Sequence, residues 1–259
     1  LTNIAGLLLI SGLGGVGMAA MSAAFTGGGR ARLAMMWRAA LMLQIVLAVP
    51  MLAFCLVRAD QIVLVLYGPR FAAVVPWFRL FLGFAIVGRL VGGGAHQSAL
   101  YVVGRQRSVL FTRWAGLVVN VVLDIALIPI YGPVGALFGT GFSQVWVGII
   151  EYLLVRGQVP HGYPTDFMAR MISATIIPMV LLTWWQPAGV GGLAASSVAF
   201  AVLIIFGLML TRPKEAGDLQ LMMMANPRLR KIADLLSRGS GAKNRNATAD
   251  AALPAGGSR

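Results

Sequence analysis

The chain has 259 residues, of which only 11% are charged while 58% are hydrophobic. Because a soluble domain carries about 25% charged residues, this composition excludes an ordinary water-soluble protein, and the mean hydropathy of +0.82 indicates lipid as the main solvent. The net charge of +13 does not indicate a nucleic-acid partner, because the basic residues lie in short gaps between apolar runs and in the C-terminal tail.

Seven apolar segments are long enough to cross a bilayer, which takes about 20 helical residues. Backbone groups in lipid must be hydrogen-bonded within their own segment, so these segments predict helices, and the fold class is all-α, a polytopic transmembrane bundle. The predicted spans are residues 3–25, 35–57, 73–98, 109–130, 134–155, 167–186 and 189–210. Leu1 enters the first span without a signal peptide, so we expect the chain to continue a longer protein.

The basic residues predict the orientation of these spans. Alternate gaps are rich in arginine, and the first, third and fifth of them contain Arg30, Arg32, Arg105, Arg107 and Arg156. Short basic loops stay on the cytoplasmic side of a membrane. The odd gaps and the C-terminus are therefore predicted to lie in the cytoplasm, with Leu1 outside.

The C-terminal segments and the rare cysteine and histidines predict little chemistry. Residues 212–238 read as an amphipathic cytoplasmic segment that lies on anionic lipid, and residues 239–259 as a disordered tail. Cys55 has no partner for an intrachain disulfide and reads as a small buried hydrophobe. His96 and His161 are far apart and without cysteine neighbours, so we predict no metal site and no cofactor.

Ionisable residues within the predicted spans are the main functional signal. Arg89 lies near the middle of the third span, where a charge costs about 2.5–3.5 kcal/mol, so we expect it to face a water-filled cavity or a partner. His96 follows seven residues later, on the same face of a continuous helix. Arg79 is nearer the outer end, where its side chain also reaches the interface by snorkelling. The three glycines that begin at Gly92 predict a loosened helix able to bend during gating.

The fourth and fifth spans each carry a polar stripe. Arg113, Asn120 and Asp124 share one helical face of the fourth span. Gln144 and Glu151 are seven residues apart on one face of the fifth. Together with the third span, these stripes predict a polar lining contributed by three neighbouring helices.

Structural explanations remain open for several of these charges. Arg89 and Asp124 would neutralise each other if they formed an ion pair. Arg113 and Glu151 are close to the cytoplasmic end, where the charge bias of loops and an interfacial position account for them. Glycines within the spans, among them Gly135 and Gly139 in a small-xxx-small pattern, predict close helix packing.

A family resemblance emerges in residues 67–144. The chain reads Tyr67-Gly68-Pro69-Arg70-Phe71, then Gly104-Arg105-Gln106-Arg107, then Leu127-Ile128-Pro129-Ile130-Tyr131-Gly132-Pro133-Val134-Gly135-Ala136. It resembles the polysaccharide-biosynthesis flippases of the multidrug/oligosaccharidyl-lipid/polysaccharide exporter superfamily, in which a Leu-Ile-Pro-x-Tyr-Gly-x-x-Gly-Ala turn joins two helices on the outer side. The resemblance is good over residues 20–155 and loose elsewhere.

The resemblance implies a transporter of 12 to 14 helices in two lobes, of which this chain would be the C-terminal lobe. It implies flipping of lipid-linked oligosaccharide repeat units across the bacterial inner membrane, with an undecaprenyl-pyrophosphate-linked glycan, membrane lipid and the N-terminal lobe as partners. Arg89, His96 and Arg79 would meet the phosphate, Asn120 and Gln144 would line the route, and Asp124 and Glu151 would serve ion coupling. Arg89 is selected by its depth in the span, not by an aligned motif.

Other functions fit the sequence less well. A multidrug exporter of the same superfamily would favour a carboxylate-rich cavity, whereas this lining is net cationic. A membrane enzyme of polysaccharide assembly usually needs a large outer loop, and the outer loops here are short. A seven-helix receptor fits the topology, but none of the spans contains the lysine that a retinal linkage requires.

Overall fold

The computed structural model describes residues 12–159, 162–185, 187 and 189–211. Within these ranges the chain forms helices and no strand, which confirms the all-α class. The helices are α1 (Gly12–Val57), α2 (Ala59–Tyr67), a 3-10 helix (Pro69–Val74), α3 (Val75–Val91), α4 (Gly93–Val102), α5 (Gln106–Tyr131), α6 (Pro133–Arg156), α7 (Thr165–Trp184) and α8 (Gly189–Thr211). His161, the predicted segment 212–238 and the predicted tail 239–259 lie outside the described residues.

Six helical stretches in the described residues are long and apolar enough to cross a membrane, which is compatible with a multi-pass membrane protein. Helices α5 to α8 match the last four predicted spans to within three residues at each end. The predicted total of seven is not confirmed, because the described part of the first predicted span and the whole second span lie in one helical stretch, α1, which is interrupted only at Gly29.

Helix α1 is interrupted at Gly29, within the predicted gap between the first two spans. Its 46 residues would extend about 69 Å if straight, more than twice the thickness of the hydrocarbon core. Gly29 has φ 63° and ψ −155°, a conformation that glycine adopts without a steric penalty. The residues around it, 27–32, are exposed. That the chain crosses the membrane twice in this region stays a prediction.

The predicted span 73–98 is interrupted at Gly92, where α3 ends and α4 begins. Gly92 is left-handed, with φ 94° and ψ 4°, and its N–H donates to the Arg89 carbonyl at 3.1 Å. This break confirms the weak point predicted from the glycine run. It also corrects the face argument for Arg89 and His96, because the two residues lie on separate helices rather than on one continuous face.

The long helices lie side by side in the order α8, α7, α1, then α3 with α4, then α6 and α5. One buried cluster includes Trp37, Leu41 and Leu100, at the contact of α1 with α4. A second joins α1, α7 and α8 and includes Met42, Ile45, Phe167, Met171 and Phe200. Helix α5, at one edge of the row, exposes Phe111 and Ile125 almost fully (76% and 71%), as expected of a face that meets lipid or another protein surface.

Candidate functional site

Helices α5 and α6 are antiparallel neighbours held close by glycine. A Cβ added at Gly135 would lie 2.5 Å from the backbone carbonyl of Leu127, and one added at Gly139 would lie 2.5 Å from the Asp124 carboxylate. A Cβ at Gly116 would meet Val147 in the same way, at 2.3 Å. The predicted small-xxx-small packing at Gly135 and Gly139 is therefore confirmed.

The two predicted polar stripes meet in this α5–α6 contact. Arg113 Nε lies 3.1 Å from Glu151 Oε1, and Arg113 Nη2 donates to Glu151 Oε2 at 3.5 Å. Two turns further along α5, the Asn120 amide donates to the Thr140 hydroxyl at 3.3 Å. The two stripes are therefore joined directly by the Arg113–Glu151 pair, whereas Asn120 bonds to Thr140 outside the predicted stripe and Gln144 is exposed.

Glu151 is fully buried, so it is not an exposed interface residue. Its carboxylate depends for charge compensation on Arg113, whose side chain is half-exposed. Arg113 also donates to Gln97 Oε1 at 3.0 Å, and Gln97 in turn donates to the Tyr101 hydroxyl at 3.1 Å. A buried carboxylate, a guanidinium and an amide from three helices thus form one hydrogen-bonded group near the predicted cytoplasmic end.

Asp124 and Arg89 do not pair with each other within the described part of the chain. Asp124 is half-buried against Gly139, and its Oδ1 is enclosed without a hydrogen-bond partner among the described residues. Helix α6 lies between α5, which carries Asp124, and α3, which carries Arg89. The alternative of a mutual structural ion pair is therefore not seen.

The direction of Arg89 follows from the contacts of α3. Phe84 lies against Gly141 and Val91 against Gly148, so α3 and α6 run parallel and face each other through these residues. The Phe84 ring also stacks edge-on against Phe138, with ring centroids 5.0 Å apart.

At about 100° per residue, Arg89 lies about 140° around α3 from Phe84, and Gln144 lies about 60° around α6 from Gly141 in the opposite sense. Opposite rotations on two parallel helices that face each other lead to the same side of the pair. Arg89 and the exposed Gln144 therefore lie in the same half of the pair, with Arg89 directed mainly away from α6. Arg89 is half-buried in the last turn of α3, and its guanidinium has no hydrogen bond or ion pair with a described residue.

His96 is enclosed in an aromatic box formed by Trp37, Tyr152 and Tyr163. Trp37 Nε1–H donates to His96 Nδ1 at 3.1 Å, which assigns the ring proton to Nε2, and that nitrogen donates to the Val91 carbonyl at 2.6 Å. His96 is completely buried. Both nitrogens of His96 are hydrogen-bonded, and the bond to Val91 crosses the Gly92 break. A role of His96 in substrate binding stays a prediction, and it would require this aromatic box to open.

Tyr163, in the segment between α6 and α7, completes the contact with the break. Its hydroxyl donates to the Leu90 carbonyl, one of the carbonyls at the end of α3. Burial, reinforced by the neighbouring Tyr152, raises the pKa of the Tyr163 phenol, so the group stays protonated and remains a donor.

Arg79 lies away from these groups, toward the other end of α3. Its guanidinium forms an ion pair with Asp60 of α2. The ten residues between Arg79 and Arg89 correspond to about 15 Å along a helix. The sequence interpretation grouped the two arginines around one phosphate, whereas the structure places them in different surroundings.

Several residues of these arrangements were not singled out from the sequence: Trp37, Asp60, Gln97, Tyr152 and Tyr163. Gln97 carried the same signal as Asn120, a polar side chain within a predicted span. The aromatic residues carried none, because Tyr and Trp near span ends are ordinary interface residues.

In the described residues no group of three histidine, cysteine, aspartate or glutamate side chains is placed to hold a metal ion. Comparisons with protein-family models, curated proteins and solved structures each give no match.

Proposed function

We propose that this chain is the C-terminal lobe of a transporter that flips lipid-linked oligosaccharide repeat units across the bacterial inner membrane. Flipping makes and breaks no covalent bond, so the protein is not an enzyme. It works by alternating access, with the C-terminus in the cytoplasm, and draws on an ion gradient or the membrane potential. The ligand is an undecaprenyl-pyrophosphate-linked glycan, bound with the help of the N-terminal lobe that the family resemblance implies.

The observation that carries this proposal is the unpaired guanidinium of Arg89. A charge at this depth is retained where it meets water, a partner or a substrate, because its desolvation is expensive. No described residue supplies an ion pair or a hydrogen bond to it. Arg89 lies in the same half of the α3–α6 pair as the exposed amide of Gln144. A guanidinium that has no carboxylate partner suits a pyrophosphate better than a cationic ligand.

The break in the helix at Gly92 also supports the proposal that the protein is a transporter. Arg89 lies in the last turn before the break, so a change in the angle between α3 and α4 would move its guanidinium. Helix α4 is bonded to α1 through His96 and Trp37 and to α5 through Gln97 and Arg113, whereas α3 contacts α6 through Phe84 and Val91. Both halves of the predicted third span also pack against α1 and α6, so a bend at Gly92 would have to change these shared contacts.

The carboxylates of the α5–α6 contact are proposed to couple flipping to ions. The enclosed Oδ1 of Asp124 has no partner among the described residues, so a proton or a cation would stabilise it. Glu151 is already compensated by Arg113. Asp124 is therefore the better coupling candidate of the two, and Glu151 would take part only if Arg113 moved away.

The same carboxylate favours a second candidate function, export of cationic drugs. An unpaired carboxylate is the group that would hold a cationic substrate, and Asp124 has an enclosed oxygen that no described residue satisfies. This alternative predicts that Asp124, not Arg89, decides transport.

Complementation distinguishes the two functions. The chain, joined to its N-terminal lobe, is expressed in a bacterium that lacks its own O-antigen flippase, as wild type and as Arg89→Ala, Arg89→Lys and Asp124→Asn. Arg107→Ala is the matched control, because Arg107 is an exposed arginine at the start of α5. Insertion levels are compared by blotting membranes.

Surface polysaccharide that is restored by the wild type and by Arg107→Ala but lost in Arg89→Ala supports the flippase. Arg89→Lys should retain partial activity, because lysine keeps the charge but not the bidentate geometry. Resistance to cationic drugs that depends on Asp124 and not on Arg89 would establish the exporter instead. Equal polysaccharide levels in Arg89→Ala and wild type would refute the proposed role of Arg89.

A further inference from the structure

A second polar site lies at the opposite end of α3, around an open pocket of about 380 Å³. We call it the end pocket. It is formed where α1 passes into α2, beside the first turns of α3 and the last turn of α7. Its polar lining consists of Arg58, Asp60, Gln61, Arg79 and Thr183, with Leu56, Val57 and Leu182 as apolar walls.

Arg58 is the buried charge of the end pocket. The residue is only 3% exposed, and its Nη2 donates to the Trp185 carbonyl. Its Nε–H is enclosed and has no partner among the described residues. Within the same residues no carboxylate pairs with this guanidinium, since Asp60 is held by Arg79. Burial without a counter-charge lowers the pKa of Arg58 from its ordinary value.

Gln61 presents the complementary group. Its Nε2 donates to the Pro187 carbonyl at 2.8 Å, which fixes the orientation of the amide because a flipped oxygen would face another oxygen. The Oε1 atom is then enclosed without a donor. Two side chains that line the end pocket therefore each keep an enclosed polar atom that no described residue satisfies, a cationic donor on Arg58 and an acceptor on Gln61. A ligand in the pocket would reach these two atoms by a rotation of the side chains, because neither atom has appreciable accessible surface.

These two unmet groups define the chemistry of a ligand. Arg58 requires an anionic oxygen, and Gln61 requires a hydroxyl or similar donor next to it. The two guanidinium groups and one carboxylate leave the pocket with a net positive charge, and its volume is in the range of small-molecule sites. Guanidinium groups bind phosphate oxygens in a bidentate manner.

We propose that the end pocket binds a phosphate group that carries a neighbouring hydroxyl donor. The phosphate oxygens accept from Arg58 and Arg79, and the hydroxyl donates to Gln61 Oε1. The headgroup of a phosphatidylglycerol lipid and free protonated phosphate both have this chemistry, whereas a phosphatidylcholine headgroup has no hydroxyl donor. The proposal does not depend on oligosaccharide flipping, because Arg89 and Gln144 are not part of this pocket.

The test uses the full-length protein purified in detergent, in two arms. Native mass spectrometry measures retention of phosphatidylglycerol against phosphatidylcholine, and calorimetry measures binding of inorganic phosphate. The variants are Arg58→Lys, which loses the Nε donor, and Arg79→Gln, which leaves Asp60 as an unpaired carboxylate beside the anion. Arg70→Gln is the matched control, because Arg70 is an exposed arginine of the neighbouring 3-10 helix.

We expect one phosphatidylglycerol to be retained in preference to phosphatidylcholine, with affinity reduced about tenfold or more in Arg58→Lys and Arg79→Gln and unchanged in Arg70→Gln. Binding of inorganic phosphate with the same variant pattern, without lipid retention, would assign the site to free phosphate. Arg79 is half-exposed, so Arg79→Gln should fold even if the Arg58 variant does not. Absence of both ligands from the wild type, or equal loss in Arg70→Gln, would overturn the proposal and leave water in the pocket.

Discussion

The close approach of α5 and α6 at Gly135 permits a quantitative prediction about stability. In Gly135→Ala the new Cβ would lie 2.5 Å from both the carbonyl carbon and the carbonyl oxygen of Leu127. Because these are backbone atoms, they cannot rotate away as a side chain would. The helices must separate by about 1 Å to reach ordinary contact at 3.4 Å, and the neighbouring contacts along the pair loosen with them.

The expected change in the unfolding free energy is the difference between two effects. Inserting a methyl group into a well-packed contact costs about 1–3 kcal/mol, and a backbone clash belongs at the upper end. Alanine recovers at most about 1 kcal/mol through its better helix propensity. Gly135→Ala should therefore destabilise the protein by about 2 kcal/mol. Gly83→Ala is the matched control, since a Cβ there meets nothing within 4 Å and only the propensity gain of up to about 1 kcal/mol remains.

Thermal unfolding in detergent measures both variants against the wild type. The difference of about 3 kcal/mol between them corresponds to at least about 6 °C in Tm, with Gly135→Ala below the wild type and Gly83→Ala at or above it. A Gly135→Ala protein as stable as Gly83→Ala would show that the α5–α6 contact is not as close as described. The reasoning about small residues in this pair would then fail.

Three further predictions concern the break, the buried ion pair and the tyrosine contact. Gly92→Ala should lower Tm by the equivalent of about 1–3 kcal/mol, because alanine is strained at positive φ; an unchanged Tm would contradict the left-handed conformation. Arg113→Gln should lower the unfolding free energy of the protein by about 1–3 kcal/mol, a value discounted because Arg113 is half-exposed. The double variant with Glu151→Gln should recover part of that loss. Strictly additive effects in the double-mutant cycle would rule out a coupling between the two residues. For Tyr163 the folded pKa lies above the unfolded value of 10.0, so its contribution to stability is complete below pH 10 and is lost as the pH rises further. Tyr163→Phe should therefore flatten the fall in unfolding free energy above pH 10, and an identical alkaline profile would refute this.

The helices of the second half of the chain were predictable from apolar length alone. The predicted spans 109–130 and 134–155 differ from α5 and α6 by at most three residues at either end. Their limits are marked in the sequence, because Gly132 adopts positive φ and Pro133 begins α6. An uninterrupted apolar stretch has one way to satisfy its backbone in lipid, so sequence and structure agree.

The first half was less predictable because interruptions do not lower hydropathy. Glycine lies near the middle of hydropathy scales, so the run at Gly92 left the predicted span 73–98 continuous although the backbone breaks there. The nine-residue helix α2 is too short for a 20-residue window to detect, and it was read as part of a gap. Both features are set by backbone conformation, which a hydropathy profile does not contain.

The arrangement of the polar residues was also only partly predictable from the sequence. Each stripe on α5 and α6 followed from helical periodicity, but the partner of each residue depends on which helices are neighbours. The ion pair of Arg113 with Glu151 and the separation of Arg89 from Asp124 are consequences of α6 lying between α3 and α5. Residues 38 positions apart in the chain cannot be paired by local spacing alone.

The polar contacts between α5 and α6 also constrain how the protein is made. When α5 leaves the ribosome, Asn120 lacks its partner and Arg113 lacks its counter-charge, because Thr140 and Glu151 arrive 20 and 38 residues later. Released singly into lipid, α5 would carry these groups unsatisfied. We therefore expect the insertion machinery to retain α5 until α6 is synthesised, so that the two helices enter the bilayer as one hairpin. Lengthening the tight turn at Gly132 would delay that pairing during biogenesis.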